Sequence, residues 1–417
     1  MTKARKLIRV GVVGVGRGQG FAYGAAAKVG MQLVAICDTW EEKLREVEKK
    51  FNIAAYTEYD KFLEHDIDAV ILANYFHEHA TFAIKALRAD KHVMSETSAC
   101  LTLAQGVSLI REVQKSGKIY MLAENYPYMV FNQEMRRVFK TGRLGEFMYG
   151  EGEYVHPDCA DFWNSISCGQ NHWRNWIPAT YYCTHSLGPI MYITDTYPVK
   201  VNGFVIPHSK DDPVAQRMLC KNDAASMISL RMNNGAVVKL LQYGLRGHSI
   251  WSRIHGSKGQ MENLRQGNTA MVRLIREQYH ENYTEPVEQI YLPKFPEHHK
   301  EAINAGHGGG DFFMNYYFAQ AIRKNQQPFF DVYRGITMAA VGVLAYKSAL
   351  NDSNTFEIPD FHKEAMLRKY AKDNWSPDPA DKGKRQPLPS ILGDIKHSKF
   401  AVTYARKNWK EKGYTGL

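Results

Sequence analysis

Two groups of residues in this 417-residue chain have types and spacings that chemistry could use. The first is a cluster of glycines, Gly11, Gly14, Gly16, Gly18 and Gly20, followed by a carboxylate, Asp38, 22 residues after Gly16. Glycine at such a turn lets the backbone bend tightly and removes every Cβ between a helix N-terminus and a diphosphate. Gly14 and Gly16 fill the first two places of a G-x-G-x-x-G pattern, while Gln19 stands at the third between Gly18 and Gly20. A carboxylate closing the second strand hydrogen-bonds the adenosine ribose hydroxyls and repels a 2′-phosphate. No arginine immediately follows Asp38, so the expected cofactor is NAD rather than NADP.

The second group is histidines and aromatics in the middle of the chain. Oxidising a secondary alcohol needs a base for the hydroxyl proton, and imidazole titrates in the right range. His185 stands in Tyr182-Cys183-Thr184-His185, where the Tyr182 phenol three residues before it offers a hydrogen-bonding partner and proton relay. His156 follows the strand pattern 149–155 beside Glu153, and either could orient a hydroxyl or be an ordinary strand-end polar residue. His307 precedes three glycines and Asp311, where bare backbone could approach a ligand closely. Trp163, Trp173 and Trp176 with Tyr181 and Tyr182 form an aromatic stretch; sugar faces stack on such rings, and core packing uses them about as often. His77, Glu78 and His79 invite a metal reading, but no third ligand follows at metal spacing, so no metal is expected.

Elements must hold these groups in place. Leu7–Val13, Gln32–Cys37, Ala69–Ala73, His92–Met94 and Ile119–Ala123 read as strands. Helix-period stretches at Glu41–Phe51, His79–Ala89 and Leu103–Ser116 lie between them, and a helix is expected to begin near Ala22. That alternation implies a doubly wound parallel Rossmann sheet over residues 1–145. Residues 146–375 read as an α+β domain with an open, mostly antiparallel sheet. Its strands are Phe147–Val155, Val199–Ile206, Ala225–Met232 and Ala236–Leu241, with a hairpin turn at Asn233, Asn234 and Gly235. Helices are expected near Pro189–Thr194, at Phe312–Lys324, and at Gly335–Ala349, the last packed back on the first domain. Residues 376–417 read as an arm: a Pro-, Asp- and Lys-rich linker from Ser376 to Pro389, then a helical tail on the surface or on a neighbouring subunit.

Composition sets the class. Hydrophobic residues are 44% and charged residues 23%, as in a soluble globular protein. The net charge of +10 suits an anionic ligand, but the basic residues are dispersed, so neither nucleic acid nor membrane is an expected partner. None of the six cysteines forms a C-x-x-C pair, which implies reduced thiols and a cytoplasmic location.

From about Leu7 to about Pro359 the chain resembles the Gfo/Idh/MocA family. The likeness rests on GVVGVGRGQG, DAVILANYFHEHATFAIKAL, KHVMSETSA, YMLAENYPY, GEFMYGEGEYVH, IHGSKGQMEN and the EIPDF ending, in that order. It implies cofactor contacts at Arg17, Asn74, His79, Glu96 and Asn125, and sugar contacts at Trp173 and Arg174 beside His156, Glu153, His307 and Asp311. It places the catalytic histidine at His185 and implies a homo-oligomer paired through the open sheet. Two departures stand out. The family's Glu-Lys-Pro reads Glu96-Thr97-Ser98, and Thr97 cannot be a cationic acid/base; the usual aspartate four residues before the histidine is Tyr181. WRNWIPATYYCTHSLGPI, WSRIHGSKG and HGGGDFFMNYY are similar to NAD-dependent α-N-acetylgalactosaminidases, and the whole is similar to glycoside 3-dehydrogenases. The expected activity is NAD-dependent oxidation of a sugar or glycoside hydroxyl at C3. Its rivals are a redox-neutral glycosidase and a noncatalytic sugar or NADH sensor; retention of Asp38, Glu96, Tyr182 and His185 argues against the sensor.

Overall fold

The computed structural model describes residues 7–19, 28–276, 287–381, 383 and 385–414. Gly20 and the helix expected from near Ala22 lie outside the described residues. The N-terminal part runs β1 (Ile8–Val13), β2 (Met31–Cys37), α1 (Glu41–Phe51), β3 (Ala54–Tyr56), α2 (Tyr59–Leu63), β4 (Ala69–Leu72), α3 (His79–Arg88), β5 (His92–Ser95), α4 (Leu103–Ser116) and β6 (Tyr120–Leu122). The six strands are parallel in the order β3-β2-β1-β4-β5-β6. All four residues of β4 are buried, as expected for a parallel strand covered on both faces. Helix α4 starts at Thr102, whose hydroxyl accepts from Gln105 N while the Gln105 side chain reaches back to Thr102 N. The strand order changes direction between β1 and β4, so the carboxyl ends of these strands open a crevice.

The chain continues through α5 (Val130–Lys140), β7 (Phe147–Val155), α6 (Ala160–Ile166), α7 (Thr184–Thr194), β8 (Pro198–Ile206), β9 (Ala225–Met232), β10 (Val237–Tyr243), β11 (Ser249–Gly256), β12 (Gly259–Asn263), β13 (Val272–Arg276) and β14 (Glu288–Tyr291). Then come α8 (His299–Ala302), α9 (Gly310–Lys324), α10 (Val332–Ala349), β15 (Phe356–Glu357), α11 (Glu364–Tyr370) and α12 (Lys399–Glu411). The second sheet has nine strands ordered β14-β13-β12-β11-β7-β10-β9-β8-β15. It is antiparallel except where β10 runs parallel to β7.

Helix α7 lies on one face so closely that a Cβ on Gly152 would sit 2.1 Å from Ser186 O. Helix α10 does the same at Gly203, where a Cβ would lie 2.1 Å from Ala345 O. At its other end Ile336 packs on Gly106 of α4, so α10 joins the two sheets rather than serving the first alone. The opposite face of the second sheet carries charge pairs, Lys239 and Arg253 on Glu151 and Arg273 between Glu262 and Glu288. Beyond residue 375 the arm folds back on its own chain, with Ala401, Ala405 and Trp409 of α12 buried against Leu219. Among the described residues no helix is long and apolar enough to cross a membrane.

Candidate active site

The glycine turn after β1 fits a dinucleotide. Gly14 has φ +105°, a region closed to most side chains, and a Cβ there would lie 2.4 Å from Ala73 O. A Cβ on Gly16 would meet nothing within 4 Å, so the turn presents bare backbone. Asp38, at the end of β2, accepts from Val15 N at 2.7 Å and from Trp40 N at 2.8 Å, which ties it to this turn. The amide oxygens Oδ1 of Asn74 and Asn125 are buried with no hydrogen-bond partner among the described residues. Buried acceptors of this kind suit the carboxamide and ribose donors of a nicotinamide nucleotide. NAD, when bound, would supply the hydride acceptor here, with the Gly14–Gly16 backbone and Asp38 holding its adenosine half and Asn74, Glu96 and Asn125 nearest its reactive half.

Arg17 spans the crevice. Its Nε donates to Glu96 Oε1 at 2.9 Å, and its two terminal nitrogens grip Asp311 at 3.0 and 2.7 Å, the bidentate geometry of a strong pair. His307 Nδ1–H donates to the same carboxylate at 3.0 Å. Burial alone would raise the Asp311 carboxyl, but the Arg17 and His307 hydrogen bonds outweigh it and hold the group below the usual carboxylate range. His307 and Asp311 therefore anchor the α9 N-terminus to the glycine turn through Arg17.

A histidine–carboxylate pair stands over the carboxyl edge of the first sheet. Ala123 N donates to Ser95 O at 2.7 Å, which extends the β5–β6 pairing to Ala123 and puts Glu124 just past the carboxyl end of β6. His185, in the first turn of α7, has Nδ1 at 2.8 Å from Glu124 Oε1, with the two side chains 12% and 0% exposed. A carboxylate can only accept, so Nδ1 carries the proton and Nε2 is left as the basic nitrogen. Glu124 Oε2 has no partner among the described residues. The His185 ring packs on Tyr126 and Tyr154 at 4.6 and 4.7 Å and meets Tyr182 edge-on at 5.5 Å. Arg174 Nη1 donates to Tyr182 Oη at 2.9 Å. The phenol accepts from a permanent cation, and its own proton is directed elsewhere.

Several expectations need correction. Glu153 is not on the His185 side. Side chains alternate along a strand, and its neighbours Gly152 and Tyr154 face α7, so Glu153 points to the opposite face of the sheet. There Arg265 grips it at 2.8 and 2.9 Å and Ser249 donates to it at 2.6 Å. Trp173 is a core residue, its ring stacked with Phe76 and Tyr182 and covered by the Arg174 guanidinium 4.4 Å from its centroid. It offers no free face to a sugar. Arg174 is engaged with Tyr182 first. His79 is buried, with Nδ1 2.9 Å from Ser98 O and Nε2 3.2 Å from Asn74 O. Burial favours the neutral ring, whose single N–H donates to one of these two carbonyls, and at 2% exposure the ring is packed inside the fold rather than presented to the crevice.

His156 does reach the site's edge, 5.7 Å from the Tyr154 ring, with its Nδ1 on Asp158. Tyr181, at the position of the family aspartate, is buried in the core. Two residues were missed by the sequence reading, Glu124 and Tyr154. A carboxylate directly after the fully apolar Tyr120–Ala123 run was the available signal for Glu124.

A parallel nucleotide-binding sheet with a histidine–carboxylate pair over its carboxyl edge defines an NAD-binding oxidoreductase. A family model described as the oxidoreductase family with NAD-binding Rossmann fold, Gfo/Idh/MocA, matches residues 8–124. A second, for the C-terminal domain of glycosyl hydrolase 109, matches residues 133–368, more than half of the chain. The chain belongs to the Gfo/Idh/MocA oxidoreductases that carry the glycosyl hydrolase 109 C-terminal domain. It is 27% identical over 397 residues to an alpha-N-acetylgalactosaminidase of Shewanella oneidensis, covering 86% of each chain. Its fold is similar to levoglucosan dehydrogenase in complex with NADH and levoglucosan, with TM-score 0.73, 19% identity, and 85% of this chain and 100% of that one covered. It is also similar to the aldose-aldose oxidoreductase of Caulobacter crescentus, with TM-score 0.67, 18% identity, and 84% and 100% covered.

Proposed function

We propose that this protein oxidises a secondary hydroxyl, at C3, of a sugar or glycoside with NAD. The observation that carries the reading is the buried His185–Glu124 pair at the carboxyl edge of the NAD-binding sheet. With Nδ1–H held by Glu124, His185 Nε2 takes the hydroxyl proton as the C–H bond gives up hydrogen with its electron pair. The imidazolium so formed is stabilised by the Glu124 charge in a water-poor site. Tyr182, held by Arg174, directs its O–H toward the sugar, and Tyr154 and His156 wall the far side. Thr97 moves no proton, so the base is supplied from α7 and not from the nucleotide-binding sheet.

A second reading is favoured by the glycosyl hydrolase 109 match and the galactosaminidase relative. In it the C3 ketone acidifies the C2–H, loss of that proton expels the aglycone from C1, water adds at C1, and the hydride returns to C3. Assembly as a homo-oligomer belongs to the same proposal. The test is a panel of p-nitrophenyl glycosides with NAD, reading nicotinamide absorbance and released nitrophenol together. NADH without nitrophenol supports the dehydrogenase, and nitrophenol without net NADH supports the glycosidase. Silence in both channels, with NAD still bound, contradicts both.

A further inference from the structure

The family match over the second sheet ends at residue 368, yet the chain beyond it is built into the wall of the site. The arm is fastened first. Tyr346 donates to Leu388 O at 2.5 Å, and the buried Asp223 accepts from Ser390 Oγ at 2.6 Å and from Ile391 N at 3.2 Å. Helix α12 then starts at Ser398, whose hydroxyl accepts from Ala401 N. Its apolar face buries Trp409 at 2% exposure against Leu219 and Cys168, and Tyr404 donates to Asp161 Oδ1 of α6 at 2.6 Å. Tyr404 also packs on the cluster of Ala160, Trp163, Ala179, Met218 and Tyr243, against which Tyr182 packs as well.

Tyr414, the last described residue of the arm, reaches the segment that carries Arg174, the partner of Tyr182. Tyr414 N donates to Trp409 O at 2.9 Å, which turns the chain toward Gly169. Gly169 has φ +98°, and a Cβ there would lie 2.9 Å from the Tyr414 hydroxyl oxygen. Gly169 O accepts from His172 N and from Asn175 Nδ2, both at 3.1 Å, and Asn175 Oδ1 accepts from Trp163 Nε1 at 3.1 Å. Arg174 lies inside that turn and holds Tyr182. On the other side His172 meets Tyr75 of the first sheet's crevice, ring centroids 4.9 Å apart. Residues 159–182 contain only α6 and two 3₁₀ turns; Lys221 and Asn222 bond to the 174–177 backbone and α10 packs on Thr180 and Tyr181, while 159–169 have no such inner support among the described residues. On the 159–169 side the outer layer is α12 and the residues just after it, which meet Asp161, the Trp163 cluster, Cys168 and Gly169.

We propose that the C-terminal arm is a positioning element of the active site: Trp409 and Tyr414 hold the 169–175 turn, and through it Arg174 and Tyr182, in working geometry. The catalytic meaning rests on the reading above; the mechanical claim does not. A loose tail would leave 169–175 and Tyr182 indifferent to α12.

Trp409→Ala and Tyr404→Phe in the full chain test this, with Trp409→Phe as the conservative rescue. Hydrogen exchange resolved by peptide is read first. The expected result for Trp409→Ala is faster exchange across 169–182, by about tenfold or more, with the β1–Gly16 and β4 peptides and the NAD dissociation constant unchanged. Trp409→Phe should restore protection, and Tyr404→Phe should show a smaller effect confined to α6. Turnover of p-nitrophenyl glycosides is read second. For Trp409→Ala, kcat/KM should fall about tenfold at a temperature where the variant is folded. Unchanged exchange at 169–182 overturns the positioning claim outright. Faster exchange with unchanged kcat/KM reduces the arm to a brace and also overturns it. If the wild type turns over no glycoside, the functional reading fails, and exchange alone decides what α12 holds.

Discussion

Proton transfer in the proposed reaction depends on which nitrogen of His185 is free. Glu124 accepts only, so it fixes Nδ1–H and leaves Nε2 basic. His185→Ala should therefore lower turnover by about 10²–10⁴-fold with NAD affinity near wild type. Glu124→Gln keeps the size and a hydrogen bond but can present its NH₂ to Nδ1 and favour the wrong tautomer. Turnover should fall by about 10²-fold, again with little change in NAD affinity. Steady-state kinetics with calorimetry for NAD checks both, and a Glu124→Gln enzyme as fast as wild type removes Glu124 from the mechanism. Thr97→Ala should cost less than about tenfold. A loss near a thousandfold would put Thr97, or a water it holds, on the proton path. His185 and Tyr182 stood out in the sequence because their types suit proton transfer, and the structure brings their rings together at 5.5 Å. Glu153 was misplaced because the residue pattern of a strand shows alternation but not which face looks at the site. Glu124 was invisible as a partner because its contact with His185 spans 61 residues.

Elements deliver these residues, and their identities were the most legible part of the sequence. Glu41–Phe51 and Leu103–Ser116 appear as helices with the expected limits, and Phe147–Val155 and Ala225–Met232 as strands. Helix periodicity and strand alternation survive because burial enforces them. The short β3 and α2 escaped notice: three half-buried residues and a five-residue helix carry too little pattern. Strands β11 and β12 were recognised only as motif text, and β13 and β14 not at all, since their register depends on pairing rather than on local pattern. The α7 contact gives a test at this scale. Gly152→Ala would drive a Cβ into the Ser186 carbonyl, displacing the helix that carries His185. Overpacking typically costs about 1–3 kcal/mol, so Tm should fall and turnover should fall with it. A variant of wild-type stability and activity would show that α7 is not pinned there. Asp38 gives another: NAD should bind at least about tenfold tighter than NADP, and equal affinity would remove its assigned role.

At the scale of the whole molecule, buried histidines set the response to acid. Burial lowers His79, and it pushes His172 down to about 3 and His397 down to about 4. Each binds its proton more weakly folded than unfolded, so the unfolded chain takes up protons first as pH falls below the ordinary value near 6.5. Stability should be full above that pH and decline steadily below it, down to each folded value. Tm measured between about pH 7 and 5 should drop, and His172→Gln should flatten the slope. A Tm independent of pH in that window would contradict the burial of these rings. The crevice between the two sheets is closed by Arg17 on Glu96 and Asp311, an arrangement no local motif announces, because its partners lie 79 and 294 residues away. The central claim is that hydrogen leaves a sugar C3 with its electron pair while His185 takes the proton. A glycoside turned over by the enzyme, carrying deuterium at C3 alone, tests it most directly. The account predicts a primary isotope effect on single-turnover oxidation and, where NADH accumulates, deuterium on the nicotinamide ring. Conversion of the glycoside at an unchanged rate, with no deuterium on the cofactor, would contradict it.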